Sequence, residues 1–187
     1  GESPKPGDPR LSQSRFVLIG GRRTAMDGVV DEALARGLAT IVFDEPITGD
    51  AAVAGAAFAR RAIAAAERIG GAAVVIASGE TTVHVRGGGT GGRNQEFALG
   101  AAIEIHDRAI PVAIGAVGTD GVDGNSTAAG AIVDDSTLTR ARDAGLDPRA
   151  ALAGNDTHPF FERLGNLIVT GPTGTNVGDV FVAIIGP

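Results

Sequence analysis

An α/β fold, a mixed sheet flanked by helices, is predicted by three features of this sequence. Short apolar runs of strand length alternate with longer Ala-rich or amphipathic stretches along the whole chain. Gly or Gly-Gly closes most of these segments, as strand-to-helix turns and helix C-caps require. No internal repeat appears.

The elements follow in order. Residues 2–9 are polar and Pro-containing, the signature of an exposed linker, and the linker is drawn over 1–14. The run 15–19 (RFVLI), ended by Gly20 and Gly21, predicts a buried strand. Residues 24–36 predict an amphipathic helix stopped by Gly37, and 40–43 a second strand. Residues 50–69 predict an Ala-rich helix closed by Gly70 and Gly71, and 72–77 a third strand. Residues 81–86 (TTVHVR) alternate polar and apolar, as a half-buried strand does. Then come a glycine run at 87–92, a helix at 94–106, a strand at 111–117 and an Asp/Gly/Asn-rich loop at 119–127. Further segments predict a short strand at 129–133 and short helices at 136–144, 148–152 and 159–164. Strands are predicted at 166–169 and 180–185, with a turn-rich loop at 171–176 between them. A shift in composition near Gly70 divides the chain into a βαβα segment (15–70) and a second part (71–187) that carries all the unusual loops.

Composition narrows the function. The 187 residues include 29 glycines, about twice the usual share. There is no Trp and no Tyr, so an aromatic platform for stacking bases is not expected. Net charge is −6 with no basic stripe, which argues against nucleic acid and anionic membranes as partners. The absence of Cys removes disulfide and thiolate chemistry. Lys5, in the polar lead, is the only lysine, so a fixed cation near the motifs must be Arg. His84, His106 and His158 make no metal-ligand spacing and are read as structural.

Several loops could carry chemistry. The run GGGTGG (87–92) precedes a helix, where bare backbone N–H groups and the helix dipole favour an anion; a turn needing only conformational freedom is the competing reading. Arg93 follows at once and could hold a phosphate through its planar fork. Gly87, Gly89 and Gly92 also fit G-x-G-x-x-G, but the acidic residue that a dinucleotide site requires about 20 positions on is not in place. Asp120 and Asp123 share a glycine-rich loop after a strand and could hold Mg²⁺; an Asx-rich turn explains them equally. Asp134 and Asp135 are read as an acidic pair at a helix start. Thr173, Thr175 and Asn176 make a second hydroxyl-rich loop, either a ligand contact or a tight connection. Glu80 is an acid/base candidate or a turn residue.

Taken together and in this order, SGETTV (78–83), GGRNQE (91–96), GTDGVDG (118–124) and GPTGTN (171–176) resemble the MOFRL domain of ATP-dependent glycerate 2-kinases, a family whose members also carry the label hydroxypyruvate reductase. The MOFRL-like part begins at about Ala72, and residues 4–70 resemble the stretch joining it to a larger N-terminal domain. The resemblance implies a site in a cleft between two domains, with the N-terminal domain, absent here, as an intramolecular partner providing a lysine. It implies ATP and Mg²⁺ as cofactors and D-glycerate as the small-molecule substrate, in a cytoplasmic enzyme. Carried over by residue, it makes Arg93, Glu80 and Asp120 the catalytic candidates and Asp120 and Asp123 the metal candidates. Gly89, Gly91, Gly92, Asn94, Glu96, Thr173, Thr175 and Asn176 become the substrate- or phosphate-binding candidates. The general base stays open among Glu80, Asp120 and Asp123. Two departures stand out: Ser78 where the family often has Gly, and Thr90 where it often has a basic residue. The alternatives are a nicotinamide-dependent hydroxypyruvate reductase and an anion-binding module without catalysis.

Overall fold

The computed structural model describes residues 3–15 and 17–187. Strands β1 (Ala39–Val42), β2 (Ala73–Gly79), β3 (Val112–Gly118), β4 (Gly130–Asp134), β5 (Leu167–Ile168) and β6 (Asp179–Ile185) form one sheet in the order β1-β2-β6-β3-β4-β5. Only the β1–β2 pair is parallel; the other pairs are antiparallel. The last strand of the chain thus enters the middle of the sheet.

Alternation along β2 sets the two layers. Ala73, Val75 and Ala77 face the larger core, under helices α2 (Ala51–Ile69) and α3 (Arg93–Ile105). Val74 and Ile76 face the other side, against Met26 and Ala33 of helix α1 (Arg22–Ala35). A strand covered on both faces reads as a continuous apolar run, as β2 does. Three short helices, α4 (Thr137–Asp143), α5 (Pro148–Ala153) and α6 (Thr157–Leu164), follow β4 and pack against α3.

The α2–α3 contact is backbone on backbone. A Cβ on Gly55 would lie 1.9 Å from the Phe97 carbonyl oxygen, and one on Gly100 would lie 2.0 Å from that of Ala52. The Ala-rich face of α2 permits this approach. It lets Phe58, Phe97 and Phe181 gather beneath, with the Phe97 and Phe181 rings stacked at 4.0 Å.

Two predicted strands are not strands. Val17, Leu18 and Ile19 are unpaired and 72%, 72% and 94% exposed, while Phe16 lies outside the described residues. Their apolarity reflects no burial within this chain. Residues 81–86 likewise make no ladder. Within them only Thr82 bridges the extended 47–50 segment, opposite Asp50, and Asn155 takes the Arg86 N–H. Residues 15–70 form no closed core of their own, because β1 and α2 complete the sheet and the large core.

Candidate active-site cleft

β2 and β3 run the same way, and both end at the first residue of β6: Asp179 pairs with Gly79 on one side and Gly118 on the other. Glu80 therefore leaves the sheet on one side of Asp179, and Thr119 and Asp120 on the other. Such a divergence at the carboxyl ends of neighbouring strands opens a crevice in an α/β sheet.

α3 starts beside it. Gly92 is the N-cap and Arg93 the first helical residue. The Arg93 guanidinium meets Asp179 through two parallel bonds: Nε donates to Oδ2 at 2.6 Å and Nη2 to Oδ1 at 3.0 Å. Asp179 is fully buried. Nη1 stands 3.7 Å from the exposed Glu80 carboxylate. Donating these hydrogen bonds to Asp179 raises the Arg93 pKa, so the charge is fixed.

Asp123 serves the same helix end. Its Oδ1 accepts from the Asn94 backbone N–H at 2.9 Å and side-chain amide at 3.2 Å; its Oδ2 accepts from the same groups of Gln95 at 2.9 and 3.0 Å. It is 1% exposed. Burial pushes its carboxyl up, against these bonds that hold the charged form. Both oxygens are engaged, so Asp123 caps α3 from another loop.

The glycine run is also tied down. The Arg86 and Gly87 N–H groups donate to the Asn155 side chain, Gly89 to the Gly154 carbonyl, Thr90 to Asp156 and Gly91 to Asn125. The glycines exist largely for packing. A Cβ on Gly87, Gly89, Gly91 or Gly92 would lie 2.2–2.5 Å from Gly154, Asp156, Thr157 or Asp123. Among the described residues, the Gly92 and Arg93 N–H groups stay without a protein acceptor, at the N-terminus of α3.

A cleft of about 800 Å³ lies over this region, lined by Glu80, Thr81, Gly89, Gly91, Gly92, Arg93 and Glu96 among others. Thr81 is 2% exposed, and its hydroxyl has no protein partner among the described residues. Burial raises the Glu96 carboxyl, opposed by the 2.8 Å bond from the Asn155 amide.

The remaining candidates lie on the far side of Asp179. The Thr173 backbone donates to the Asp120 carbonyl at 3.1 Å, and the Asn176 amide approaches Asp120 Oδ2 at 3.5 Å. Thr173 and Thr175 line a second cleft of about 510 Å³, together with Ile19 and Thr119. Asn94, 1% exposed, sits under the first turn of α3 rather than in either cleft. Asp179, Asn125, Asn155 and Asp156 are the site residues that sequence reasoning missed. For Asp179, the one signal was an acidic residue heading the run VFVAII.

Comparison with known proteins gives the family. The MOFRL family model matches residues 73–179. An Agrobacterium vitis protein named "Putative hydroxypyruvate reductase" is 37% identical over 99% of this chain and 42% of its own length. The D-glycerate 2-kinase of Thermotoga maritima is 48% identical over 60% of the chain and 27% of its own length. The crystal structure of the glycerate kinase of that organism superposes with a TM-score of 0.85 at 36% identity, covering 91% of this chain and 42% of the other. The chain thus spans less than half the length of these relatives. With the matched segment running from the head of β2 to Asp179 itself, the chain belongs to the MOFRL family.

Proposed function

We propose that this chain is the C-terminal part of a glycerate 2-kinase and supplies one wall of its active-site cleft. The reaction would move the γ-phosphoryl of ATP to the 2-hydroxyl of D-glycerate. The observation that carries this reading is Arg93: a guanidinium of fixed charge, locked by a buried carboxylate, beside two unpaired backbone N–H groups at a helix N-terminus. That arrangement suits one oxyanion, a phosphoryl group or a substrate carboxylate. The glycine run contributes by shaping this wall, since most of its own N–H groups are taken within the protein.

The substrate hydroxyl oxygen would attack phosphorus, ADP would leave, and the hydroxyl proton would pass to a carboxylate. Glu80 is the best placed of the three candidates, being exposed in the cleft beside Arg93, whereas Asp123 is sealed in and Asp120 lies across Asp179. Mg²⁺ needs few protein ligands when phosphates and water complete its shell. Asp120 suits that role, since among the described residues its Oδ2 has only the 3.5 Å approach of Asn176. The metal would neutralise phosphate charge.

A lysine-bearing N-terminal domain of the same polypeptide would form the other wall, with residues 1–14 as linker and 15–70 as the segment related to that domain. The isolated chain should therefore be inactive. An ADP-release assay with D-glycerate tests both points. We expect turnover of about 1–100 s⁻¹ from the longer polypeptide, in the range usual for kinases, and none from residues 1–187. Oxidation of NADH with hydroxypyruvate, without ADP release, would replace this reading by the reductase one.

A further inference from the structure

We infer that Asp179 is a positioning residue whose function is to fix which edge of the Arg93 guanidinium faces the cleft. The inference rests on the kinase reading only for its activity readout.

A guanidinium offers two forks, one from Nε and Nη2 and one from Nη1 and the second Nη2 proton. Asp179 takes the first fork with both of its oxygens. Only the outer fork is left, and its Nη1 already points to the cleft side, where Glu80 stands 3.7 Å away. An incoming oxyanion thus meets the outer edge in a single orientation, with Glu80 as the carboxylate it displaces. The choice of Asp179 for this task is visible in the sheet. It is fully buried, it begins the central strand, and its ladder partners on either side are glycines, Gly79 and Gly118. The backbone atoms around it are therefore held by two ladders, which makes its carboxylate a rigid anchor. Arg93 is the only cation hydrogen-bonded to it among the described residues.

A carboxylate is required rather than any acceptor. An amide at 179 would offer one oxygen and turn an N–H group toward a guanidinium N–H. The residue acts through Arg93, so its effect must vanish when Arg93 is gone. Removing Arg93 alone must also leave a buried, unpaired charge, which is costly.

The experiment is a mutant cycle in the polypeptide that carries this chain, comparing Asp179→Asn, Arg93→Ala and the double variant. The readouts are kcat, KM for D-glycerate, melting temperature, and calorimetric binding of inorganic phosphate. We expect Asp179→Asn to lower kcat by roughly 10–100-fold, the usual effect of losing the partner that orients a functional group, and to weaken phosphate binding. The double variant should be no slower than Arg93→Ala. It should also melt higher than Arg93→Ala, because the stranded charge is removed. Asp179→Asn that stays folded with kcat and phosphate affinity near wild type would overturn the inference. So would multiplicative losses in the double variant, or a double variant that melts lower than Arg93→Ala. If Asp179→Asn does not fold, a double variant that melts lower than Arg93→Ala still overturns the inference. A wild-type protein without kinase turnover would remove the kinase reading alone. Phosphate binding and melting would then settle Asp179, and a wild type that binds no phosphate would refute the oxyanion edge.

Discussion

The Asp123 carboxylate accepts four hydrogen bonds from two consecutive residues, Asn94 and Gln95, while nearly excluded from water. A helix needs acceptors for its first N–H groups, and Gly92 at the N-cap has no side chain to provide one. Asp123 fills that need from 29 residues away. Truncation would strip two backbone and two side-chain donors at once in a site without solvent, where each lost partner costs about 1–3 kcal/mol. Asp123→Ala should therefore lower the unfolding free energy by at least about 2 kcal/mol in urea titration, with no metal present. A loss below about 0.5 kcal/mol would mean that the carboxylate is held for a ligand rather than for the helix. This use of Asp123 was not legible in the sequence. An Asp in a glycine-rich loop looks the same whether its oxygens face solvent, a cation or a distant helix, and only the fold brings 94 and 123 together. The place of Arg93 at a helix start was legible, because the glycine run leads straight into a helical pattern. Its partner Asp179 was not, since nothing local distinguishes it from a polar strand boundary.

Helices and strands that bury a face against this chain were readable from their periodicity. α2 runs from the Asp50 N-cap, whose side chain accepts from Val53 N–H, to Gly70 in the left-handed conformation. The misread strands at 15–19 and 81–86 show the limit of the same signal. Apolar residues such as Val17 and Val85 satisfy the pattern yet lie on the surface, at 72% and 79% exposure. Small residues carried a message that periodicity does not express. Gly100 lies in mid-helix, where Gly is less favourable than Ala by about 1 kcal/mol. Its place is explained by the Ala52 carbonyl oxygen, 2.0 Å from where a Cβ would be. Backbone cannot swing aside as a side chain can, so α2 and α3 would have to separate. Gly100→Ala should then destabilise by about 1–3 kcal/mol despite its better helix propensity. It should also disturb α3, whose first turn carries Arg93. Thermal unfolding checks the first part; an Ala variant that melts at or above wild type would show that the helices do not pack this closely.

At the scale of the whole molecule, the family match begins at residue 73, but the packing does not. β2 would become an edge without β1, and its Val74 and Ile76 face would lose Met26 and Ala33 of α1. The larger core would lose Phe58 from the group with Phe97 and Phe181, and most of the cover that α2 gives to α3. An exposed β2 edge rich in Val and Ile also templates association with other chains. The position of β6 adds to this, because a strand that enters mid-sheet needs both β2 and β3 ordered before it can seat Asp179 between Gly79 and Gly118. A polypeptide of residues 71–187 should consequently fail to give a cooperative thermal transition and should aggregate, while residues 1–187 unfold in one transition. Adding residues 15–70 as a separate peptide should restore solubility, since the missing edge strand and the helices that cover the two faces of β2 form one contiguous segment. Calorimetry and light scattering on the three samples check this. A soluble 71–187 with a sharp transition of its own would show that the first 70 residues are an accessory to the sheet rather than part of its core.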